Sequence, residues 1–328
     1  MMKVNTVLGP ISPEQMGKTL VHEHFVCGQV GWYAVETTDP YDRKAALKTN
    51  LDVCQAAKGV GVKTIIDCTT NDLPRDPVLY KELAKKSGLN IICVTGLFNE
   101  HMGGSHYWII KTWFNADISK LMAEMFIREL TQGIGKTGIK AGAIKVASGE
   151  TVTDYEKKVF KAAVAAQKET GAPIITHTEG PAPVPGLEQA DLFIQEGADI
   201  SKVMIGHVSN STDFNYQKAI ADKGFYIGFD RLGFSFFTQD DICVKNIAEL
   251  CKQGYAGKIM LSHDSVNFWG GRPVPADVPA ELAATLSKNW RVDHVCREIV
   301  PALKEAGVSD RQIETMLVDN PRNLFTGK

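Results

Sequence analysis

Four histidines, one aspartate and one lysine have the types and settings that metal chemistry needs. His22 and His24 form an H-x-H pair in KTLVHEH, His177 lies in PIITHT, His207 ends KVMIGH and Asp264 ends KIMLSHD. Neutral imidazoles with a carboxylate suit zinc or a similar divalent ion. Lys145, in AGAIKVA, is out of place among them, because an ammonium repels a cation. Its deprotonated amine, however, can combine with carbon dioxide to give a carbamate, an anion able to bridge two metals. The lysine therefore argues for a binuclear centre. Two ions about 3.5–4 Å apart would share a hydroxide and polarise the acceptor oxygen of a substrate. The zincin pattern HExxH is absent, since His22–Glu23 runs on into His24, Phe25 and Val26.

Something must bring these distant residues together. Eight short β-branched runs recur: Lys18–His24, Lys63–Cys68, Asn90–Thr95, Gly142–Ala147, Pro173–Thr178, Lys202–His207, Phe225–Phe229 and Lys258–Asp264. Helical patterns separate them, as in Asp154–Thr170, which follows a capping signal at Thr151 or Thr153 and stops at Gly171. Strands alternating with helices imply a parallel sheet, because parallel neighbours need a crossover. Eight of them fit a (β/α)8 TIM barrel, with residues 1–328 as one domain, 1–17 as a lead-in and 265–290 as an active-site loop. An open doubly wound sheet lacks its phosphate-binding signature. Gly59–Val60–Gly61 has no third glycine, and Leu130 stands where a phosphate loop ending in Gly133–Thr137 needs its first.

A barrel gathers reactive groups at the C-terminal ends of its strands. His22, His24, Lys145, His177, His207 and Asp264 all fall there, from five segments. The period of two puts His22 and His24 on one face. It pairs Lys145 with the small Ala143 and Ala147, and Asp264 with Ser262 and Met260. His263 then points away as a structural group, and Glu23 faces the helix layer with no partner that the sequence names. Taken singly, each residue has a plainer role: a packed H-x-H, a core His177, a snorkelling Lys145, a helix-capping Asp264. The joint placement is what those roles explain poorly. His101, His106 and His294 read as ordinary surface histidines.

Composition narrows the partners. Thirty-six Lys+Arg against 38 Asp+Glu leave a net charge of −2, without the basic excess of a nucleic-acid binder. No stretch is apolar enough for a membrane span, and Met1–Gly17 is not a secretory signal. Seven cysteines without a CxxC pair read as reduced, mostly buried thiols of a cytoplasmic protein. Cys27 lies near His24 but reads as packing.

Together VHEH (21–24), AGAIKVA (141–147), PIITHT (173–178), IGH (205–207) and LSHDS (261–265) resemble the phosphotriesterase family of the amidohydrolase superfamily. TVLGPISPEQMGKTLVHEH and VDNPRNLF (318–325) extend the resemblance over nearly the whole chain. It implies His22, His24 and Asp264 on a buried metal, His177 and His207 on a more exposed one, and the Lys145 carbamate bridging both. The two divalent ions would be zinc, with cobalt, manganese or iron as alternatives. A bridging hydroxide would attack a phosphoryl or lactone centre while Asp264 accepts the proton.

The short segment from His207 to Asp264 and FDRLG (229–233) resemble the lactonase-like branch, with Arg231 shaping the pocket. Two positions depart from that branch: Phe98 stands where a tyrosine is usual, and Asn210 where an acid is, with Asp213 out of register. Phe98, Arg231, Phe268 and Trp269 are the expected substrate contacts, the last two from loop 265–290. Tyr107, Trp108 and Trp113 fit the pocket or a homodimer contact equally. The function that follows is hydrolysis of a small neutral ester, lactone or phosphotriester. An amide or phosphorylated-sugar-lactone hydrolase is the alternative on the same centre, although beyond Arg231 and Arg272 few basic residues would greet a phosphate. A non-catalytic barrel is the remaining one, and the six ligands argue against it.

Overall fold

The structure is a computed structural model and describes residues 3–35, 40–102, 104, 106–114, 116–180, 185–273 and 288–328. After a short antiparallel hairpin, β1 (Val4–Thr6) and β2 (Gly9–Ile11), come eight parallel strands paired in chain order. They are β3 (Thr19–Glu23), β4 (Thr64–Asp67), β5 (Asn90–Leu97), β6 (Ala143–Ser148), β7 (Ile174–Thr178), β8 (Val203–Ile205), β9 (Tyr226–Phe229) and β10 (Ile259–Leu261). The helices that cross between them include α1 (Arg43–Gly59), α2 (Pro77–Ser87), α3 (His106–Thr112), α4 (Ile118–Thr131), α5 (Asp154–Thr170), α6 (Gly186–Gln195), α7 (Phe214–Asp222) and α8 (Asp240–Lys252). All eight expected strands are present, within a (β/α)8 barrel.

Helix α5 shows how local sequence sets the bounds. Thr153 accepts from the Glu156 amide while the Glu156 carboxylate accepts from the Thr153 amide, a reciprocal cap, and Gly171 ends the helix in a left-handed conformation at φ 69°. Val159, Phe160 and Val164 are buried in the layer between helices and sheet. Each such side chain is worth about 1.5–3 kcal/mol of apolar burial.

A separate cluster fills the barrel. Val21, Ile66, Ile92, Val94, Ala143, Ile175 and Met260 point inward, while Val4, Met16, Leu324 and Phe325 join them from the hairpin segment and the C-terminal helix Asn320–Thr326. The lead-in and the closing NLF thus pack against one core. On β6 the alternation is as read: Ala143 lies inside, Ile144 and Val146 outside. On β3 it is interrupted. Leu20 pairs with Ile65 but Glu23 with Asp67, so one extra residue sits in β3. Val21 and His22 consequently both turn inward, where strict alternation would separate them.

Two expected strand ends are corrected. β8 stops at Ile205 and β10 at Leu261, so His207 and Asp264 lie beyond the strands, both in the left-handed region at φ 57° and 53°. For non-glycine residues this conformation is uncommon and concentrates at functional sites. The first and last strands meet at these positions. The Asp264 amide donates to the His22 carbonyl at 3.0 Å, and the His24 amide to the Ser265 carbonyl at 2.9 Å. Candidate metal ligands therefore form part of the seam of the barrel.

Candidate metal centre

The structure brings His22, His24, Lys145, His177, His207 and Asp264 into one buried cluster. His22 Nε2 is 2.9 Å from Lys145 Nζ and 3.4 Å from Asp264 Oδ1; His24 Nε2 is 3.1 Å from the same oxygen. His207 Nε2 is 2.9 Å from His177 Nδ1 and 3.6 Å from Asp264 Oδ2. Lys145 Nζ also donates to the Thr176 carbonyl at 2.8 Å. Close backbone approach makes room for this. Gly96 pairs with Lys145 at φ 144°, and a Cβ there would stand 1.7 Å from the Lys145 carbonyl oxygen. At Gly206, just before His207, a Cβ would meet the Thr176 carbonyl at 2.1 Å. Only glycine fits either position.

Each imidazole points one nitrogen inward and has the other held by an oxygen. Asp230 Oδ2 lies 2.7 Å from His22 Nδ1, and its Oδ1 3.0 Å from His207 Nδ1. Thr69 Oγ1 is 2.8 Å from His24 Nδ1, and Glu179 Oε2 is 3.0 Å from His177 Nε2. Such outer partners fix the tautomer and leave a lone pair facing the centre. Burial also disfavours protonation of three of these imidazoles. It pulls His22 and His207 below the usual histidine range and His177 down to about 4. Burial likewise lowers the Lys145 ammonium. For Asp264 burial works upward, but His207, His22 and Arg231 outweigh it and hold the carboxyl well below its usual value. The donor set fits divalent metal: His22, His24 and Asp264 form one group able to hold an ion, and His22, His207 and Asp230 another.

Asp230, Thr69, Glu179 and Asn99 escaped the sequence reading as parts of the site. A signal existed for two of them. Asp230 follows β9 as Asp264 follows β10, and Glu179 sits two residues after His177, on the same face. Glu23 does have a partner set, and it is not the helix layer. Its carboxylate accepts from Ser262 Oγ at 2.7 Å and from the Ser265 amide at 2.9 Å, and lies 2.6 Å from His263 Nδ1. Hydrogen bonds from His263 and the two serines lower its pKa against the upward push of burial.

A cavity of about 240 Å³ opens onto the centre, lined by His24, His177, Asp264, Phe98, Arg231 and Trp269 among others. Arg231 Nε donates to Asp264 Oδ2 at 2.8 Å, and its guanidinium lies 4.1 Å over the Phe237 ring. Phe98 packs edge-on to His177, 4.9 Å between ring centres. Phe268 corrects the expectation for its loop. In the strand β11 (Phe268–Trp269) neighbours face opposite ways, so Trp269 is 41% exposed and lines the cavity, while Phe268 is fully buried against Tyr41. Residues 274–287 of the expected loop 265–290 lie outside the described residues. A larger groove beside α8, about 1440 Å³, shares no lining residue with the cavity.

Other expectations also shift. His294 is buried, not superficial, with Nε2 2.7 Å from Asp240 Oδ2, because Val295 and Ile299 beside it pack into the core. Trp108 packs inside, whereas Tyr107 and Trp113 are exposed; none of the three lines the cavity. Asp213 caps α7 by accepting from the Asn215 amide, and Asn210 donates to the Gly180 carbonyl. Cys27 lines the cavity, and burial raises its thiol pKa.

The sequence pattern of the Phosphotriesterase family matches residues 2–325. This chain belongs to the phosphotriesterase family. It is 35% identical to a phosphotriesterase homology protein of Mycobacterium tuberculosis (strain CDC 1551 / Oshkosh), over 99% of this chain and 98% of that one. It is 33% identical to an aryldialkylphosphatase of Saccharolobus solfataricus, over 96% and 97%. A solved structure of a PTE-like lactonase mutant from Deinococcus radiodurans superposes with a TM-score of 0.92 at 37% identity, covering 98% of this chain and 99% of the other. Membership in this family of metal-dependent ester hydrolases makes the chain an enzyme, and the likeness to the lactonase extends over the full barrel.

Proposed function

We propose that this phosphotriesterase-family enzyme is a binuclear metal-dependent hydrolase of a small neutral ester, either a phosphotriester or a lactone or carboxylic ester. The observation that carries this reading is the convergence of four buried imidazoles, Lys145 and Asp264 beneath a cavity walled by Phe98 and Trp269. His22, His24 and Asp264 would hold the buried ion and His177 and His207 the more open one, with Lys145, as a carbamate, holding both. Bound there, two divalent ions would polarise the electrophile and make water acidic enough to attack near neutral pH. Zinc fits the nitrogen-rich donor set, and cobalt, manganese or iron are the alternatives.

The chain's own groups do the rest. Asp264 accepts the proton released on attack, at the Oδ2 that Arg231 Nε orients from 2.8 Å. Arg231 Nη1 is buried with no hydrogen-bond partner among the described residues, a donor for a substrate oxygen. Phe98 and Trp269 border the leaving group or acyl chain and exclude water. Residues 1–328 act as one hydrolase unit. The exposed Tyr107, Trp113 and Phe114 favour a homodimer, and seven unpaired thiols favour the cytoplasm. Among the described residues no helix is long and apolar enough to cross a membrane.

A hydrolysis screen of the metal-loaded enzyme tests this reading. It compares paraoxon-type triesters, acyl-homoserine lactones, aliphatic lactones, aryl esters and matched amides. Turnover of an ester class is expected; turnover of amides alone would overturn the ester assignment.

A further inference from the structure

Three of the four imidazoles are anchored by groups with almost no surface. Asp230 is 0% exposed and Thr69 1%, and both follow barrel strands. His177 is held differently. Its partner, Glu179, keeps 26% of its side chain exposed and borders both the cavity over the centre and an adjoining one of about 570 Å³. Asn99 Nδ2, from the segment after β5, donates to the same Glu179 oxygen at 3.1 Å, while Asn99 Oδ1 accepts from the Met102 amide at 2.8 Å. With Phe98 against its ring, His177 takes its setting from groups that border open cavities, and the other imidazoles take theirs from groups sealed from solvent.

We propose that Glu179 is the positioning residue of the His177 half of the centre and sets the metal affinity of that half alone. The proposal rests on the two-ion reading above. A neutral imidazole carries one N–H. The Glu179 carboxylate receives it from Nε2, which leaves the Nδ1 lone pair inward, 2.9 Å from His207 Nε2. Without that acceptor the proton can sit on Nδ1 instead, where it blocks coordination, and the ring is free to turn. His22 and His24 keep Asp230 and Thr69 whatever stands at 179, so their half is untouched. Loss of an outer partner of this kind typically costs metal affinity ~10–100-fold. The cluster thus pairs a sealed subsite with one that loads last and empties first.

The test is a zinc titration of the full metal-free chain as wild type, Glu179→Ala and Glu179→Gln, reading ions bound per chain and both dissociation constants. Thermal unfolding of each metal-free chain checks the fold. Wild type is expected to bind two ions. Glu179→Ala should weaken only the looser one, by ~10–100-fold, and Glu179→Gln, which keeps an accepting oxygen, should recover most of the loss. Asn99→Ala serves as the second variant and should weaken the same ion by a smaller factor. Unchanged constants in both Ala variants, or equal losses for the two ions, would overturn the proposal. Wild-type saturation at one ion would instead refute the two-ion reading beneath it.

Discussion

Asp230 Oδ2 stands 2.7 Å from His22 Nδ1, with both side chains almost wholly removed from solvent. The other Asp230 oxygen serves His207, so one carboxylate orients an imidazole in each half of the proposed centre. Asp230→Ala should therefore weaken both ions, by ~10–100-fold each. Three buried N–H groups, the two ring nitrogens and the His207 amide, would also be left without an acceptor, at a cost of about 1–3 kcal/mol apiece. Metal titration together with denaturant unfolding checks this; loss at one ion alone would contradict it.

Lys145→Ala removes the group proposed to hold both ions as a carbamate. Activity should fall to near background, and short carboxylic acids should restore part of it by supplying an anion in the space the side chain leaves. Unchanged activity would show that Lys145 is a packing residue. Activity lost beyond rescue, with the fold intact, would count against the carbamate.

Glu23 lies in the seam between the first and last strands, where His263, Ser262 and Ser265 all converge on its carboxylate. Glu23→Ala should destabilise the chain by several kcal/mol, because it leaves the buried His263, Ser262 and Ser265 donors without their acceptor at about 1–3 kcal/mol apiece. Denaturant midpoints measure it, and a change below 1 kcal/mol would contradict the arrangement.

Phe268 and Trp269 should separate cleanly. Trp269→Ala is expected to raise KM with little change in stability, because the ring lines the cavity and is 41% exposed. Phe268→Ala should cost about 3–5 kcal/mol through the cavity it leaves. Equal effects of the two on KM would contradict their opposite orientations.

These assignments also show where the sequence is informative. Lys145 could be aimed inward from sequence because β6 is regular, with small inner neighbours and branched outer ones. The sequence marks His207 and Asp264 as candidate ligands but misplaces them on strands, since a single left-handed residue leaves no trace in a pattern of apolar spacing. The extra residue in β3 escaped for the same reason. Phe268 and Trp269 are adjacent and chemically alike, and only the pairing of β11 decides which one faces the cavity. Thr69 holds a histidine and Asn99 a glutamate far away in the chain, so nothing local marks them. His294 looked superficial because a polar residue in a helical stretch usually is; its bond to Asp240 is a contact between segments.

The central claim is that the enzyme works with two divalent ions. Its most direct measurement is elemental metal content followed on one sample through chelation and stepwise reconstitution, with ester hydrolysis read at each step. The account predicts an inactive metal-free chain whose activity reaches its maximum at two ions per chain. Full activity without metal, or a maximum already reached at one ion, would contradict it.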